Sequence, residues 1–149
     1  MSPTRRPIRG LGEIALRVDN LDAMQRFYAD VIRLELMQRF PTSAFFRIAE
    51  GFAGHTQILA LFDRSTAPGY TGLDPARTTV DHIAFVIALA DFAPEQARLE
   101  GLGLNVRTAE HAWTQWRSLY VDDLEGNTVE LVCYDPSIDP PLAARRVQV

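Results

Sequence analysis

Glu130 is the only charge in Thr128 to Tyr134 (TVELVCY), a run whose alternate positions both look apolar. Thr128, Glu130, Val132 and Tyr134 share one face of the expected strand, and Val129, Leu131 and Cys133 share the other. A carboxylate in such a strand needs a partner, a donor or a metal once it leaves water. Two further residues have the chemistry to join it. His82 opens the apolar run HIAFVI, and Glu13 opens EIALRV. One imidazole and two carboxylates converging on a hollow suit a divalent cation of borderline to hard character: Fe, Mn, Ni or Zn. Each residue taken singly has a plainer reading. Glu130 could lie wet on an edge strand, His82 could be a packing histidine, and Glu13 could be a solvated charge at a strand start.

What joins the three is a repeat. Glu13-Ile14-Ala15-Leu16 aligns with His82-Ile83-Ala84-Phe85 at an offset of 69, and Leu59-Ala60-Leu61-Phe62 aligns with Val129-Glu130-Leu131-Val132 at an offset of 70. A period this long, present twice, indicates two copies of one supersecondary unit related by a pseudo-twofold. The equivalent positions are then Glu13 and His82, Ala60 and Glu130. Ala60 offers no ligand, so water or substrate would complete the coordination, as a catalytic ion requires.

The elements that must position these groups can be read in order. Glu13 to Val18 is a strand, and Asp19 or Asn20 caps a helix carrying Leu21, Met24, Phe27, Tyr28 and Val31. Strands are expected at Leu34 to Phe40, Ala44 to Ile48 and His55 to Phe62, split by Pro41, Gly51 and Gly54. Asp63 to Thr79 has no pattern of its own. After it come a strand at His82 to Ile87, a helix capped by Asp91 and ended by Gly101, and strands at Leu104 to Thr108, Ser118 to Val121 and Thr128 to Tyr134. The last two strands meet at the turn Asp122 to Asn127, where Gly126 is free to take positive φ.

This order, β-α-β-β-β twice, predicts an α+β fold in which two βαβββ modules pair into a curved, half-open barrel. One domain of 149 residues is expected. It would comprise a first module at 10–63, a linker at 64–79, a second module at 80–135 and an arm at 136–149, the arm extended or lying on a partner subunit.

A net charge of −4 argues against nucleic acid or an anionic membrane as the main partner. The single cysteine, Cys133, excludes an internal disulfide and fits a reducing cytoplasm. No run of 18 apolar residues suggests a membrane span. Arg5, Arg6 and Arg9 have no apolar segment behind them, so no secretory signal is expected.

The residues so far resemble the vicinal oxygen chelate superfamily of glyoxalases, bleomycin-resistance proteins and extradiol dioxygenases. The resemblance rests on Glu13 to Val18 with Leu21-Asp22 and Arg26-Phe27-Tyr28, on Asp81 to Phe85, and on Tyr120 to Leu131 (YVDDLEGNTVEL). It spans nearly all of residues 10–135. The last motif is similar to the family hairpin D-P-x-G-N-x-x-E-L, with Leu124 in place of proline. The family implies paired βαβββ modules, a metal in the cupped sheet and a homodimer. Its metal positions carry over to His82 and Glu130, and to Glu13, where members more often have His or Gln. At Ala60 the glyoxalase I pattern has Glu. An empty fourth position is more like the extradiol dioxygenases and fosfomycin-resistance transferases, which use two histidines and one carboxylate.

Beside the metal set, Tyr120 is a candidate to donate a proton or hydrogen bond, joining Glu130 as a catalytic residue. Trp113, Trp116, Arg117 and His55 are candidates for substrate binding, Arg117 through an anionic group. Both tryptophans read first as caps on the core, and His55 first as a loop residue. Two functions stay open. One is a metal-dependent enzyme, of dioxygenase, lyase or isomerase type, on a small substrate chelated through neighbouring oxygens. The other is a metal-free drug- or metabolite-binding protein.

Overall fold

The computed structural model describes residues 7–141. The chain divides into two compact units, Met1–Leu73 and Asp74–Val149, and each holds one four-stranded mixed sheet with helical cover, an α+β architecture.

In the first unit, β1 (Glu13–Val18) leads into α1 (Leu21–Arg26), then β2 (Glu35–Phe40), β3 (Ser43–Glu50) and β4 (Thr56–Asp63). The sheet order is β1-β4-β3-β2, with β1 parallel to β4 and the other pairs antiparallel. Asn20 caps α1 by accepting from the Ala23 amide, while Asp19 accepts from the Tyr70 hydroxyl. The helix does not run as α-helix to Val31. Phe27–Val31 is a π-helical turn, closed by Ile32 N–H donating to Phe27 O at 3.1 Å. The wider turn leaves both Phe27 and Tyr28 buried, with Tyr28 beside Phe46 of β3. Leu16, Val18, Met24, Phe46, Leu59 and Leu61 complete this core.

The second unit repeats the plan. β5 (His82–Val86) precedes α2 (Phe92–Gly101), β6 (Arg107–His111), β7 (Trp116–Asp122) and β8 (Thr128–Tyr134), in sheet order β5-β8-β7-β6. Ile83, Phe85, Leu119, Val121, Val129, Leu131 and Cys133 are buried on one face, together with Phe92 and Leu99 of α2. The register reproduces the repeat read from sequence: Ala15 pairs with Ala60 as Ala84 pairs with Glu130.

Two local expectations are corrected. Asp91 makes no side-chain cap, because a 3-10 turn, Leu89–Asp91, already winds into α2. The strand expected from Leu104 starts at Arg107 instead. Gly103, at φ +81°, ends α2 in a left-handed turn in which Leu104 N–H donates back to Leu99 O. Leu104 thus belongs to the helix terminus.

The β7–β8 turn is built around Asp123. Its Oδ1 accepts from the amides of Glu125 and Asn127, each at 2.9 Å, and its Oδ2 from Asn127 Nδ2 at 2.7 Å. Gly126 takes φ +85° there. This carboxylate fixes the register in which Tyr120 faces Glu130. Asp123→Ala removes three acceptor contacts at a buried position and is expected to lower unfolding stability by about 2–4 kcal/mol. Urea denaturation at neutral pH measures it, and a loss below about 0.5 kcal/mol would contradict the role given to this side chain.

Candidate functional site

β8 lies between β5 and β7, so Glu130 is no edge residue. It is 4% exposed, and its carboxylate is fully engaged. Oε1 accepts from Ser118 Oγ at 2.5 Å and from the Tyr120 hydroxyl at 3.1 Å. Oε2 lies 3.1 Å from His82 Nε2. The strand registers produce this meeting. Ala84 and Tyr120 flank Glu130 on the adjacent strands, Ser118 lies two residues along β7 from Tyr120, and His82 lies two residues along β5 from Ala84. All project to the face away from the apolar core.

Two outer contacts extend the cluster. His82 Nδ1 lies 2.7 Å from Asp81 Oδ2, and the Tyr120 hydroxyl lies 2.9 Å from His111 Nε2. The His82 and Tyr120 rings stand edge-to-face, 6.2 Å between centroids. Burial, first of all, pushes the Tyr120 phenol above its ordinary range; the Ser118 contact works against this and the Glu130 carboxylate adds to it. Tyr120 therefore keeps its proton at neutral pH and serves as a donor.

The His82–Glu130 contact sets a chemical demand. Asp81 Oδ2 and Glu130 Oε2 are acceptors placed one at each ring nitrogen, and a neutral imidazole has a single N–H to share between them. Nε2 directs either an N–H or a bare lone pair at a carboxylate oxygen. A lone pair facing that oxygen at 3.1 Å is tolerable only with a positive charge between them. Either a proton or a metal ion satisfies the pair.

The other residues singled out in the sequence sit as follows. Glu13 begins β1 in the first unit, exposed, at the register position His82 occupies in the second. Ala60 is fully buried on β4. His55 follows a 3-10 turn outside the strands, with Nε2 3.1 Å from Gly12 O. Trp113 is 74% exposed in the β6–β7 turn, so the expectation that both tryptophans cap the core fails. Trp116 opens β7, partly exposed, opposite Tyr134 and on the face of Glu130.

Arg117 is on the opposite face of β7. Its guanidinium bridges Glu110 and buried Asp135, each at 2.9 Å, and lies over the Phe92 ring. A cleft of about 390 Å³ beside it is lined by Phe92, Gln96, Thr108 and Glu110. The structure does not bring Arg117 to Glu130. Just beyond β8, Asp135 accepts from Ser137 and Arg117, and Gln115 Nε2 donates to Ile138 O. The first residues of the expected C-terminal arm are thus tied to the second unit, while 142–149 lie outside the described residues.

Three members of the cluster escaped the sequence reading. Ser118 was legible in principle, two residues before Tyr120 and so on its face. Asp81 stands beside His82 but was given no role. His111 was hidden because β6 was expected three residues too early.

A family model of the Glyoxalase/Bleomycin resistance protein/Dioxygenase superfamily matches residues 10–131. The chain belongs to that superfamily. Among solved structures, lactoylglutathione lyase from Agrobacterium tumefaciens is similar at 28% identity and TM-score 0.64, over 85% of this chain and 95% of that one. A glyoxalase/dioxygenase from Nostoc punctiforme shares the fold at 22% identity and TM-score 0.68, over 91% and 99%. So does a mutant of fosfomycin resistance protein FosX from Listeria monocytogenes, complexed with Mn(II) and 1S,2S-dihydroxypropylphosphonic acid. It is 23% identical with TM-score 0.61, over 93% and 95%. Comparison with curated proteins yields no match.

The Asp135 cluster gives a pH prediction. The Ser137 hydroxyl, then its amide, with Arg117 behind them, hold the Asp135 carboxyl below the usual carboxylate range. A lowered folded pKa contributes stability that is present above the unfolded value, about 3.9, and is lost as pH falls through the folded one. The stability difference between wild type and Asp135→Asn should therefore be full above about pH 5 and shrink steadily below about pH 4. Urea midpoints across that range measure it, and a gap that stays constant or widens with acid would refute the assignment.

Proposed function

We propose that this chain is a divalent-metal-dependent enzyme of its superfamily, acting on a small substrate that presents two neighbouring oxygens. The observation that carries the reading is the His82–Glu130 pair, Nε2 and Oε2 held 3.1 Å apart. Adjacent ligands on one ion, each about 2.0–2.2 Å from it, stand roughly 2.9–3.5 Å from each other. Both donors also have the outer partners that metal ligands need. Asp81 holds the far nitrogen of His82, and Ser118 and Tyr120 occupy Oε1 of Glu130, leaving Oε2 for the ion.

A bound cation would supply Lewis-acid polarisation of the substrate oxygens. The chain's own groups supply the rest. Tyr120, protonated and bonded to both Glu130 and His111, holds a proton where charge develops on a substrate oxygen. His111 Nε2, 2.9 Å from that hydroxyl, orients it. Glu13 occupies His82's register position in its own sheet.

A second reading rests on the same contact. In a metal-free binding protein the charge between His82 and Glu130 would be a proton, and the cluster would serve as a polar floor for a ligand.

Calorimetric titration of chelator-treated protein with Mn(II), Ni(II) and Zn(II) separates the two. The enzyme reading expects one ion per chain. Binding should be lost in His82→Ala and Glu130→Ala, and affinity should fall by about tenfold to a hundredfold in Asp81→Asn. Wild-type protein that takes up none of these ions, yet is stabilised by ligands in the presence of chelator, would establish the metal-free reading instead.

A further inference from the structure

Arg107 opens β6, and its register partner is Tyr120, which in turn faces Glu130. These three residues form one cross-strand row on one face of the sheet. With strands about 4.8 Å apart, the α-carbons of Arg107 and Glu130 are separated by roughly 10 Å. The guanidinium leans along the sheet to Asp122, with Nη2–Oδ1 at 2.8 Å and Nη1–Oδ2 at 3.2 Å. Asp122 also accepts from Thr128, the register partner of His82. The cation is thereby held on the row that contains His82.

All 15 cationic residues of the chain are arginines, so charge alone does not single out Arg107. Its position does, for among the described strand residues on the face of Glu130 it is the one cation. Among the described residues only its Nη1–Nη2 edge is occupied and Nε has no partner, and 41% of the side chain is exposed. A guanidinium can grip two carboxylates by two edges at once. Asp122 fixes one edge and leaves the Nε edge ready, so little ordering cost remains when a second anion arrives.

We infer that Arg107 is an anion-binding subsite of the proposed site. Its ligand is a carboxylate or similar planar anion on the substrate, separated by a short carbon chain from the two oxygens that meet His82 and Glu130. This rests on the chelation reading above and adds a substrate class to it: small 2-oxo or 2-hydroxy compounds with a second, distal carboxylate. An exposed cross-strand ion pair contributes little to folding, so Arg107 can be changed with the sheet intact.

The test compares 2-oxoglutarate with 2-oxopentanoate, which differ in the terminal carboxylate, by calorimetry on Mn(II)-equilibrated protein. Wild type is expected to favour 2-oxoglutarate by about tenfold. Arg107→Gln should abolish the preference while leaving 2-oxopentanoate affinity unchanged. Arg107→Lys, which keeps the charge and loses the planar edge, should retain only part of it. Equal affinities in wild type, or a preference that survives in Arg107→Gln, would overturn the inference and leave the chelation reading standing. Failure of wild type to bind either compound would remove both.

Discussion

A carboxylate taken out of water is the constraint around which the second unit is arranged. Glu130 stands on an interior strand, and an ionised group there is tolerable only when every oxygen is answered. Two hydroxyls answer Oε1 and an imidazole faces Oε2. Each of those partners depends on strand register, and the register depends on the Asp123 turn. Slipping β7 by one residue would turn Ser118 and Tyr120 to the core face and strand the charge. Polar satisfaction and topology are here the same requirement.

Much of this was legible in the chain. The two offsets near 70 residues gave the repeat, and the β registers reproduce it residue for residue at Ala15–Ala60 and Ala84–Glu130. The alternation of TVELVCY placed β8 with its observed ends. Misplaced elements have local causes. The Leu104 strand was lost to a left-handed helix terminus, and the Asp91 cap to a 3-10 turn, neither of which leaves a trace in hydrophobic periodicity. The same slip in β6 hid His111. The exposure of Trp113 was unreadable for another reason, since an aromatic in a short polar turn has no periodic neighbours to say which way it points.

The two units share a register and differ in what they put on it. In the second, the row holds Glu130, Tyr120 and Arg107; in the first, the matching row holds Ala60, Phe45 and Gln38. Phe45 stacks edge-on with Phe40 and Phe62, an aromatic cluster where the other sheet keeps its hydrogen-bonded one. One copy of the duplicated plan holds a polar row, and the other presents rings.

The state of Ala60 bears on how such a chain can change over generations. Ser43 already stands where Ser118 stands in the other copy, two residues from Phe45. A glutamate arriving at position 60 would therefore meet one waiting hydroxyl, but a phenyl ring where the second is needed. With Ala60 fully enclosed, that newcomer would be under-solvated and the lineage penalised. An acidic group on this strand would need a tyrosine at position 45 beside it before both of its hydroxyl partners were in place.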